Sequence, residues 1–314
     1  MLDVKISGFY DEISTKLSDQ IAAVRSFGES YLCPRTVNGK NIAEYTCAEF
    51  KRDILPELQK NGIRFSSIGS PIGKISIDDD AAYERQKKQL AELVQIAQVM
   101  ECKYIRIFSF YYGDRDPDSC FEKVVSRMRG FLEVARGSGV KLMHENEKKI
   151  YGDISDRCLR LYQAVNDPDF VLCYDASNFI QCDDDPVRAF DLLKDYVVYY
   201  HIKDCSQYKV EVPVGTGLGR YDYIFKQLSE RNYSGFMTLE PHTLRYALLK
   251  LPVYIIPFMP LIRSDLYKAF RLIDQKMGVR RLQRVSRRQV FVWQYENLKK
   301  LIAQNQELEE GYHG

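Results

Sequence analysis

The sequence predicts an α/β fold, a (β/α)8 TIM barrel with an extended C-terminal excursion after strand 8. Eight short, apolar, strand-like runs alternate with amphipathic helical patterns, which is typical of a parallel sheet. Four of these runs end in an acidic residue or a histidine, and they recur at intervals of roughly 30 residues, the length of a strand with its returning helix. No G-x-G-x-x-G follows the first run, so a closed barrel is favoured over an open doubly wound sheet.

The predicted strands can be assigned in chain order. They are VKISGFY, SYLC, IRFSSIG, YIRIFSF, VKLMHE, FVLCYD, VVYYHI and GFMTLE. The clearest helical patterns between them are AAYERQKKQLAELVQIAQVM and CFEKVVSRMRGFLEVARGSG, the second of which ends in glycine, a common helix-terminating residue. Eight such units fill one barrel of about 250 residues and leave a C-terminal remainder in this chain of 314 residues.

This remainder extends the predicted barrel beyond a simple closing helix. We predict a single TIM-barrel domain over 1–314, in which 243–288 form an excursion near the active-site mouth and 289–314 form the closing helix and tail. Within the excursion, prolines in LPVYIIPFMPLI favour an ordered, non-helical path, whereas SDLYKAFRLIDQKMG is helix-like. We expect the apolar run to cap the pocket or to pack against another subunit, with a surface hairpin of no special role as the alternative.

Composition limits the classes of function. The hydrophobic content of 45% and the net charge of +2 are ordinary for a soluble globular protein and do not favour nucleic acid as a partner. The eight cysteines show no C-x-x-C spacing, which argues against a zinc ribbon. The sequence lacks a signal-like start and an unbroken apolar span, so we expect a cytoplasmic protein that is not membrane-bound. The basic run VRRLQRVSRR is expected to be a solvated helix face.

Four predicted strand ends carry ligand-type side chains. They are Glu145, Asp175, His201 and Glu240. Considered alone, Asp175 could belong to a turn and His201 could be a core histidine. In a barrel, however, all four lie on the face where catalytic residues gather. Three carboxylates and one imidazole suit one divalent ion, with Mn²⁺ preferred and Mg²⁺, Co²⁺ or Zn²⁺ as alternatives.

The predicted metal site implies a reaction type. Adjacent hydroxyl and carbonyl oxygens of a sugar could occupy the remaining coordination positions, and the ion would polarise the carbonyl. Glu145 and Glu240 are the predicted catalytic acid/base pair, which would remove and return a proton next to that carbonyl through a metal-bound enediolate.

Three neighbouring residues are predicted substrate contacts. Strand alternation places Glu147 on the face of Glu145, as a rival ligand or substrate contact, and Lys203 on the face of His201. Asn178 lies on the loop after Asp175 and could hydrogen-bond a sugar hydroxyl. The loop GTGLGRYDY lacks the Lys-Ser/Thr of a P-loop, so a tight turn is favoured over a phosphate cradle.

Several segments between residues 4 and 242 are characteristic in combination. They are SGFYDEIS, TVNGKNIAEYT, NGIRFSSIGSPIGKI, KYIRIFSFY, HENEKKIYGD, YDASNFIQCDDDP, YYHIKDC, VPVGTGLGRYDYIF and GFMTLEPH. Together they resemble the xylose-isomerase-like TIM-barrel superfamily, especially its sugar phosphate isomerase/epimerase branch. The resemblance implies that the glutamate, aspartate, histidine and glutamate of that family's metal site correspond to the four residues named above. It also implies that the two glutamates act as acid and base.

The chain departs from this pattern at two positions. Ketose epimerases of the family carry a histidine where Asn178 stands, and an arginine near the VPVGTG loop, where this chain has only Lys209 close by. These departures count against epimerisation of a free ketose at carbon 3.

The leading functional hypothesis is a divalent-metal-dependent isomerase or epimerase of a small-molecule carbohydrate: a sugar, keto-sugar or sugar phosphate. A homo-oligomer is compatible with it. The alternative is a dehydratase or lyase on a keto-sugar or related polyol. An apurinic endonuclease is less favoured, because its trinuclear site needs more histidines than His144, His201, His242 and His313 supply. A non-catalytic sugar-binding protein would not need two metal-bound glutamates.

Overall fold

Eight short parallel strands form the inner wall of the fold in a computed structural model that describes residues 2–242, 244–255 and 260–312. They are β1 (Asp3–Gly8), β2 (Tyr31–Leu32), β3 (Arg64–Phe65), β4 (Tyr104–Ile107), β5 (Lys141–Glu145), β6 (Phe170–Asp175), β7 (Val197–Ile202) and β8 (Ser234–Leu239). Six of them pair in the order β1, β8, β7, β6, β5, β4, and β2 pairs with β3. Backbone hydrogen bonds from Cys33 to Gly8 (3.2 Å) and from Ile68 to Tyr104 (2.9 Å) join the two groups. The predicted TIM barrel is therefore confirmed.

Helices surround this wall. In the described residues they are α1 (Leu17–Ser26), α2 (Cys47–Asp53), α3 (Leu55–Lys60), α4 (Asp80–Val99), α5 (Phe121–Ala135), α6 (Ser155–Val165), α7 (Ala176–Gln181), α8 (Pro186–Leu193), α9 (Tyr221–Glu230), α10 (Leu244–Ile255), α11 (Pro260–Met277) and α12 (Arg287–Tyr312). Several begin where a polar side chain caps the first turn, as at Thr46, which forms a reciprocal capping box with Glu49. None of these helices is long and apolar enough to cross a membrane.

The inside of the barrel explains why the site residues converge. Buried side chains of β5, β6 and β7 form an interior cluster: Met143, Val171, Cys173 and Tyr199. Met143 lies two positions before Glu145 in its strand. Cys173 and Tyr199 lie two positions before Asp175 and His201 in theirs. Because alternate residues of a strand point to the same side, the ligand-type side chains lie above this cluster, at the C-terminal end of the barrel.

Short hairpins extend two strand ends at the same face. Thr36–Val37 pairs with Lys40–Asn41 after β2, and Asp204–Cys205 pairs with Glu211–Val212 after β7. Both pairs are antiparallel. The second hairpin begins directly after Lys203, two residues beyond His201.

Helices α10 and α11 correct part of the prediction for the C-terminal excursion. Of LPVYIIPFMPLI, 251–255 and 260–262 are helical, although a non-helical path was expected, and 256–259 lie outside the described residues. Pro252 removes one backbone donor from α10. Its neighbours Val253 and Tyr254 are buried, and their packing offsets that loss. The predicted helix SDLYKAFRLIDQKMG is confirmed up to Met277, and FVWQYENLKKLIAQNQELEE lies within α12.

The basic run 279–288 is largely exposed, as expected, but it is not helical before Arg287. Gly278 adopts a left-handed backbone with φ +65° directly after α11, which is a common way for a helix to end. Arg280, Arg281 and Arg284 therefore lie on a connection between two helices, whereas Arg287 and Arg288 begin α12.

A second hydrophobic core holds α10, α11 and α12 together. Its members are Val212, Tyr246, Val253, Tyr254, Phe270, Ile273, Val279, Val285, Val290 and Trp293. At its centre, buried Asp274 accepts hydrogen bonds from the Tyr246 (2.5 Å) and Tyr254 (2.7 Å) hydroxyls and pairs with Lys250 at 3.0 Å. Since Val212 belongs to the hairpin after β7, the excursion packs on an element at the C-terminal end of the barrel.

Candidate metal centre

The structure brings together the four predicted ligand residues. One ligand atom from each of Glu145, Asp175, His201 and Glu240 lies within 4.8 Å of the other three, and all four residues are buried. Around an octahedral Mg²⁺, opposite ligand atoms are about 4.2 Å apart, since each bond is about 2.1 Å. The group is therefore compact, and its ligand atoms are within about half an ångström of the spacing around a single divalent ion.

Each ligand atom is positioned by its strand or by the turn that follows. Glu145 ends β5, His201 lies in β7 and Glu240 directly follows β8. Asp175 ends β6 and also caps α7, because its Oδ1 accepts the backbone N–H of Asn178 at 3.1 Å. This cap leaves Oδ2 as the Asp175 oxygen available to another partner.

Unsatisfied polar atoms test whether a cation fits here. Asp175 Oδ2 and Glu240 Oε2 are buried and make no hydrogen bond of regular geometry with the described residues, although each lies close to a cationic or imidazole side chain. Buried polar atoms are rarely left in this state. In addition, His201 Nδ1 lies 2.7 Å from Glu145 Oε1 and 3.2 Å from Glu240 Oε2, close to the spacing of adjacent ligand atoms around one ion. The donor set and its unsatisfied oxygens fit a divalent cation.

Lys203 is a buried cation beside this group. Its Nζ lies 2.8 Å from Asp175 Oδ2 and 3.7 Å from Glu240 Oε2. Burial lowers the pKa of the Lys203 ammonium, but Asp175 and Glu240 outweigh this effect and hold the pKa well above its usual range. The lysine is therefore a buried, charged side chain and not a solvated surface residue.

Arg106 is a site residue that the sequence analysis missed. It lies in β4, is buried, and places Nη1 3.0 Å from Glu145 Oε2 and 3.5 Å from Glu240 Oε1. Its other nitrogens donate to the carbonyl oxygens of Gly69 and Ser70. A lone arginine inside the apolar run YIRIF was the available signal, because a charge at that position must find partners inside the barrel.

The charges around the two glutamates favour their ionised forms. Burial alone would raise the pKa of Glu145, but His201 and Arg106 hold it below its usual range. Burial acts in the same direction on Glu240, where Lys203 and His242 hold the pKa well below its usual range. For Asp175, burial dominates and raises the pKa in spite of Lys203. The three carboxylates therefore differ in their affinity for a proton.

A second set of contacts reaches Glu240 from the rim. Arg35 Nη1 lies 3.4 Å and His242 Nε2 lies 3.1 Å from Glu240 Oε1. Arg35 also pairs with Asp11 at 2.8 Å, and the His242 backbone N–H donates to Glu12. His242 has φ +48°, an uncommon conformation for a residue other than glycine. The loops after β1, β2 and β8 thus meet around the Glu240 carboxylate. No local sequence pattern predicted this meeting of three loops.

The remaining predicted contacts lie around the group. Asn178 is in helix α7, although a loop was expected, and its side-chain amide donates to the Asn146 carbonyl at 2.7 Å. Glu147 is outside the ligand group and pairs with Lys74 at 3.1 Å. Direct substrate contact by Asn178, Glu147 or Lys203 stays a prediction.

The glycine loop after β7 surrounds an internal carboxylate. Asp204 accepts backbone N–H groups from Gly215, Gly217 and Gly219, each at 2.9 Å, and from Cys205 at 2.8 Å. A phosphate would have to replace this buried side chain to use the same donors. The loop therefore favours the predicted turn and holds Asp204, the neighbour of Lys203.

The other histidines do not extend the ligand group. His144 is bonded through Nε2 to the Ser109 hydroxyl at 2.9 Å, and burial lowers its pKa to about 4. His313 lies outside the described residues. Within the described part of the chain, the ligand group contains one histidine, which counts against a trinuclear endonuclease site.

The fold and the ligand group define a TIM barrel with a candidate mononuclear metal centre at its C-terminal end. The chain belongs to the xylose isomerase-like TIM barrel family, whose model matches residues 23–252. No curated protein sequence matches it significantly.

Solved structures similar to this chain include sugar-converting enzymes. The structure of the IOLI protein with a bound zinc atom has a TM-score of 0.70 and 12% identity, covering 96% of this chain and 99% of that one. L-ribulose 3-epimerase has a TM-score of 0.69 and 14% identity, covering 100% and 99%. The probable 3-DHS dehydratase AsbF from Bacillus anthracis has a TM-score of 0.59 and 17% identity, covering 76% and 92%. At these identities the similarity establishes the fold alone.

Proposed function

We propose that this protein is a divalent-metal-dependent isomerase or epimerase of a carbohydrate, a keto-sugar or a sugar phosphate. The observation that carries the proposal is the buried group of four ligand atoms within 4.8 Å at the C-terminal end of the barrel. Similarity to an epimerase structure and to a zinc-containing structure supports the substrate class and the need for a metal.

The proposed chemistry is proton transfer at a carbon next to a carbonyl. Oxygens of Glu145, Asp175 and Glu240 and a nitrogen of His201 would hold the ion, which supplies Lewis-acid polarisation of the carbonyl. Glu145 and Glu240 are the proposed acid/base groups. Arg106 contacts both carboxylates and stabilises their ionised forms, which is the form from which a general base starts. Burial of the group keeps bulk water away from the reacting carbon.

A dehydratase or lyase is the second candidate, and Arg106 favours it. Epimerisation by two opposed groups needs one glutamate to donate a proton while the other accepts one. The guanidinium next to Glu145 Oε2 and Glu240 Oε1 disfavours the protonated form of either. Elimination needs one base to remove the proton from the carbon next to the carbonyl. Its proton donor protonates the leaving group, so a second glutamate need not be protonated at the opposite face of that carbon. The dehydratase among the similar structures is compatible with this reaction.

One experiment separates these reactions. The Mn²⁺-loaded protein is incubated in D₂O with a panel of keto-sugars and sugar phosphates, and the products are followed by NMR. An epimerase or isomerase incorporates solvent deuterium without releasing water, whereas a lyase gives an unsaturated product with new ultraviolet absorbance. Absence of both exchange and turnover across the panel, or full activity after complete metal removal, would contradict the proposal.

A further inference from the structure

Lys203 contacts the same oxygens that a metal ion would use. Asp175 Oδ1 is engaged by the Asn178 N–H, so Oδ2 is the Asp175 oxygen open to an ion. Lys203 Nζ lies 2.8 Å from that Oδ2 and 3.7 Å from Glu240 Oε2. The ammonium is therefore ion-paired with two carboxylate oxygens that an ion among the four ligand atoms would use.

Arg106, the other fully buried cation of the group, is placed differently. It contacts Glu145 Oε2 and Glu240 Oε1, the oxygens opposite those that approach His201 Nδ1. A metal ion among the four ligand atoms would therefore leave the Arg106 contacts in place. Of Arg106 and Lys203, Lys203 is the cation that would compete directly with the ion for carboxylate oxygens.

The competition is electrostatic and local. An ion bound to Asp175 Oδ2 would lie about 2.1 Å from an oxygen that the ammonium also touches. Two cations this close in a buried site repel each other strongly, because little solvent screens them. The Lys203 backbone is fixed, since its N–H donates to the Tyr221 hydroxyl at 3.1 Å and its carbonyl accepts from that hydroxyl at 2.6 Å. The side chain is therefore the part of Lys203 that can move away from the ion.

We propose that the Lys203 ammonium stands in for the metal ion in the metal-free protein, and that ion binding displaces it from Asp175. This inference rests on the proposed metal site and adds a role to it. The lysine that balances the acidic group without the ion is released by the ion to contact a substrate oxygen. Since coupling between two ligands of one site is reciprocal, removing the ammonium must tighten ion binding.

Calorimetric titration of chelator-treated, full-length protein with Mn²⁺ tests the proposal. We expect Lys203→Met to increase Mn²⁺ affinity by roughly tenfold or more, because a buried like charge is removed. Lys74→Met is the matched control, since Lys74 pairs with Glu147 outside the ligand group, and its Mn²⁺ affinity should equal that of the wild type. A folded Lys203→Met protein with unchanged or weaker affinity would overturn the inference. Failure of the wild-type protein to bind Mn²⁺ would instead refute the metal site itself.

A second measurement needs no variant and covers the case in which Lys203→Met does not fold. Crystal structures of the wild-type protein with and without Mn²⁺ give the distance from Lys203 Nζ to Asp175 Oδ2 directly. We expect contact in the metal-free crystal and loss of contact in the Mn²⁺ crystal. An ammonium that stays in contact with Asp175 Oδ2 beside the bound ion would disprove displacement.

Discussion

At the scale of single residues, Glu240 has the densest set of contacts in the candidate site. Its Oε1 approaches Arg35, Arg106 and His242, and its Oε2 approaches His201 and Lys203, as the distances above show. A carboxylate surrounded by cations is stable in its charged form, which suits ion binding.

We predict that Glu240→Gln retains a bound metal ion but loses most of its turnover. The amide keeps the shape and one ligand oxygen but cannot accept a proton. General acid/base groups contribute typically about 10²–10⁴-fold to rate, and a loss in this range is expected. Turnover and metal content of the purified variant check the prediction. Glu92→Gln on helix α4, where Glu92 accepts a Cys47 N–H, is the control and should retain full activity. Near-normal turnover of Glu240→Gln would exclude proton transfer by Glu240.

His201 supplies the imidazole of the ligand group. We predict that the wild-type protein holds one divalent ion per subunit, that chelation abolishes turnover, and that Mn²⁺, Co²⁺ or Mg²⁺ restores it. His201→Ala should bind much less metal because one of four ligands is lost. Elemental analysis after dialysis gives the occupancy. His144→Gln removes a buried imidazole outside the group and should keep the ion. Equal metal content in His201→Ala and wild type would show that the ion binds elsewhere.

At the scale of elements, the segment after β7 connects the site to the loop around it. Lys203 and Asp204 follow β7, which contains His201, and the glycine loop binds the Asp204 carboxylate through its N–H groups. The turn therefore holds the backbone beside Lys203 in place.

We predict that Asp204→Asn destabilises the protein by about 1–3 kcal/mol, because an amide replaces an ionised acceptor of several buried N–H groups. Urea unfolding monitored by circular dichroism measures the change. Asp222→Asn is the control, since Asp222 is an exposed residue that contacts Arg220 at the surface. A value for Asp204→Asn indistinguishable from that of the control would show that the loop does not depend on this carboxylate.

At the scale of the whole molecule, the C-terminal excursion packs against the hairpin that follows β7. Its second core includes Val212 of the hairpin after β7, and helix α12 contributes Val290 and Trp293. Leu248, Leu249 and Ile255 of α10 remain exposed. Capping of the pocket and packing against another subunit, the two expectations for this segment, stay predictions.

We predict that replacing 243–288 with a short Gly/Ser linker changes the Michaelis constant, the oligomeric state, or both. The hairpin after β7 would lose the helices that cover it, and this hairpin follows His201 and Lys203 directly. Steady-state kinetics and size-exclusion chromatography with light scattering measure the two properties. A soluble variant in which both are unchanged would refute a role for the excursion.

The eight barrel strands and the four ligand residues could be predicted because both depend on local periodicity. An apolar run that ends in Glu145 or Asp175 predicts both a strand and the position of the acidic residue at its end. Alternation within the strand then decides which side chains share a face. The path of 251–255 could not be predicted in this way. The burial of Val253 and Tyr254 against distant helices overcame the local effect of Pro252.

By itself, the sequence determined the barrel, the order of its strands and the candidate ligands Glu145, Asp175, His201 and Glu240. Only the tertiary structure decided that Arg106 contacts both Glu145 and Glu240. It also decided that Arg35 and His242 meet at Glu240, and that Lys203 contacts Asp175 Oδ2. The physical reason is distance along the chain. Such contacts join residues of different strands and loops, and their geometry follows from how the whole barrel closes and packs.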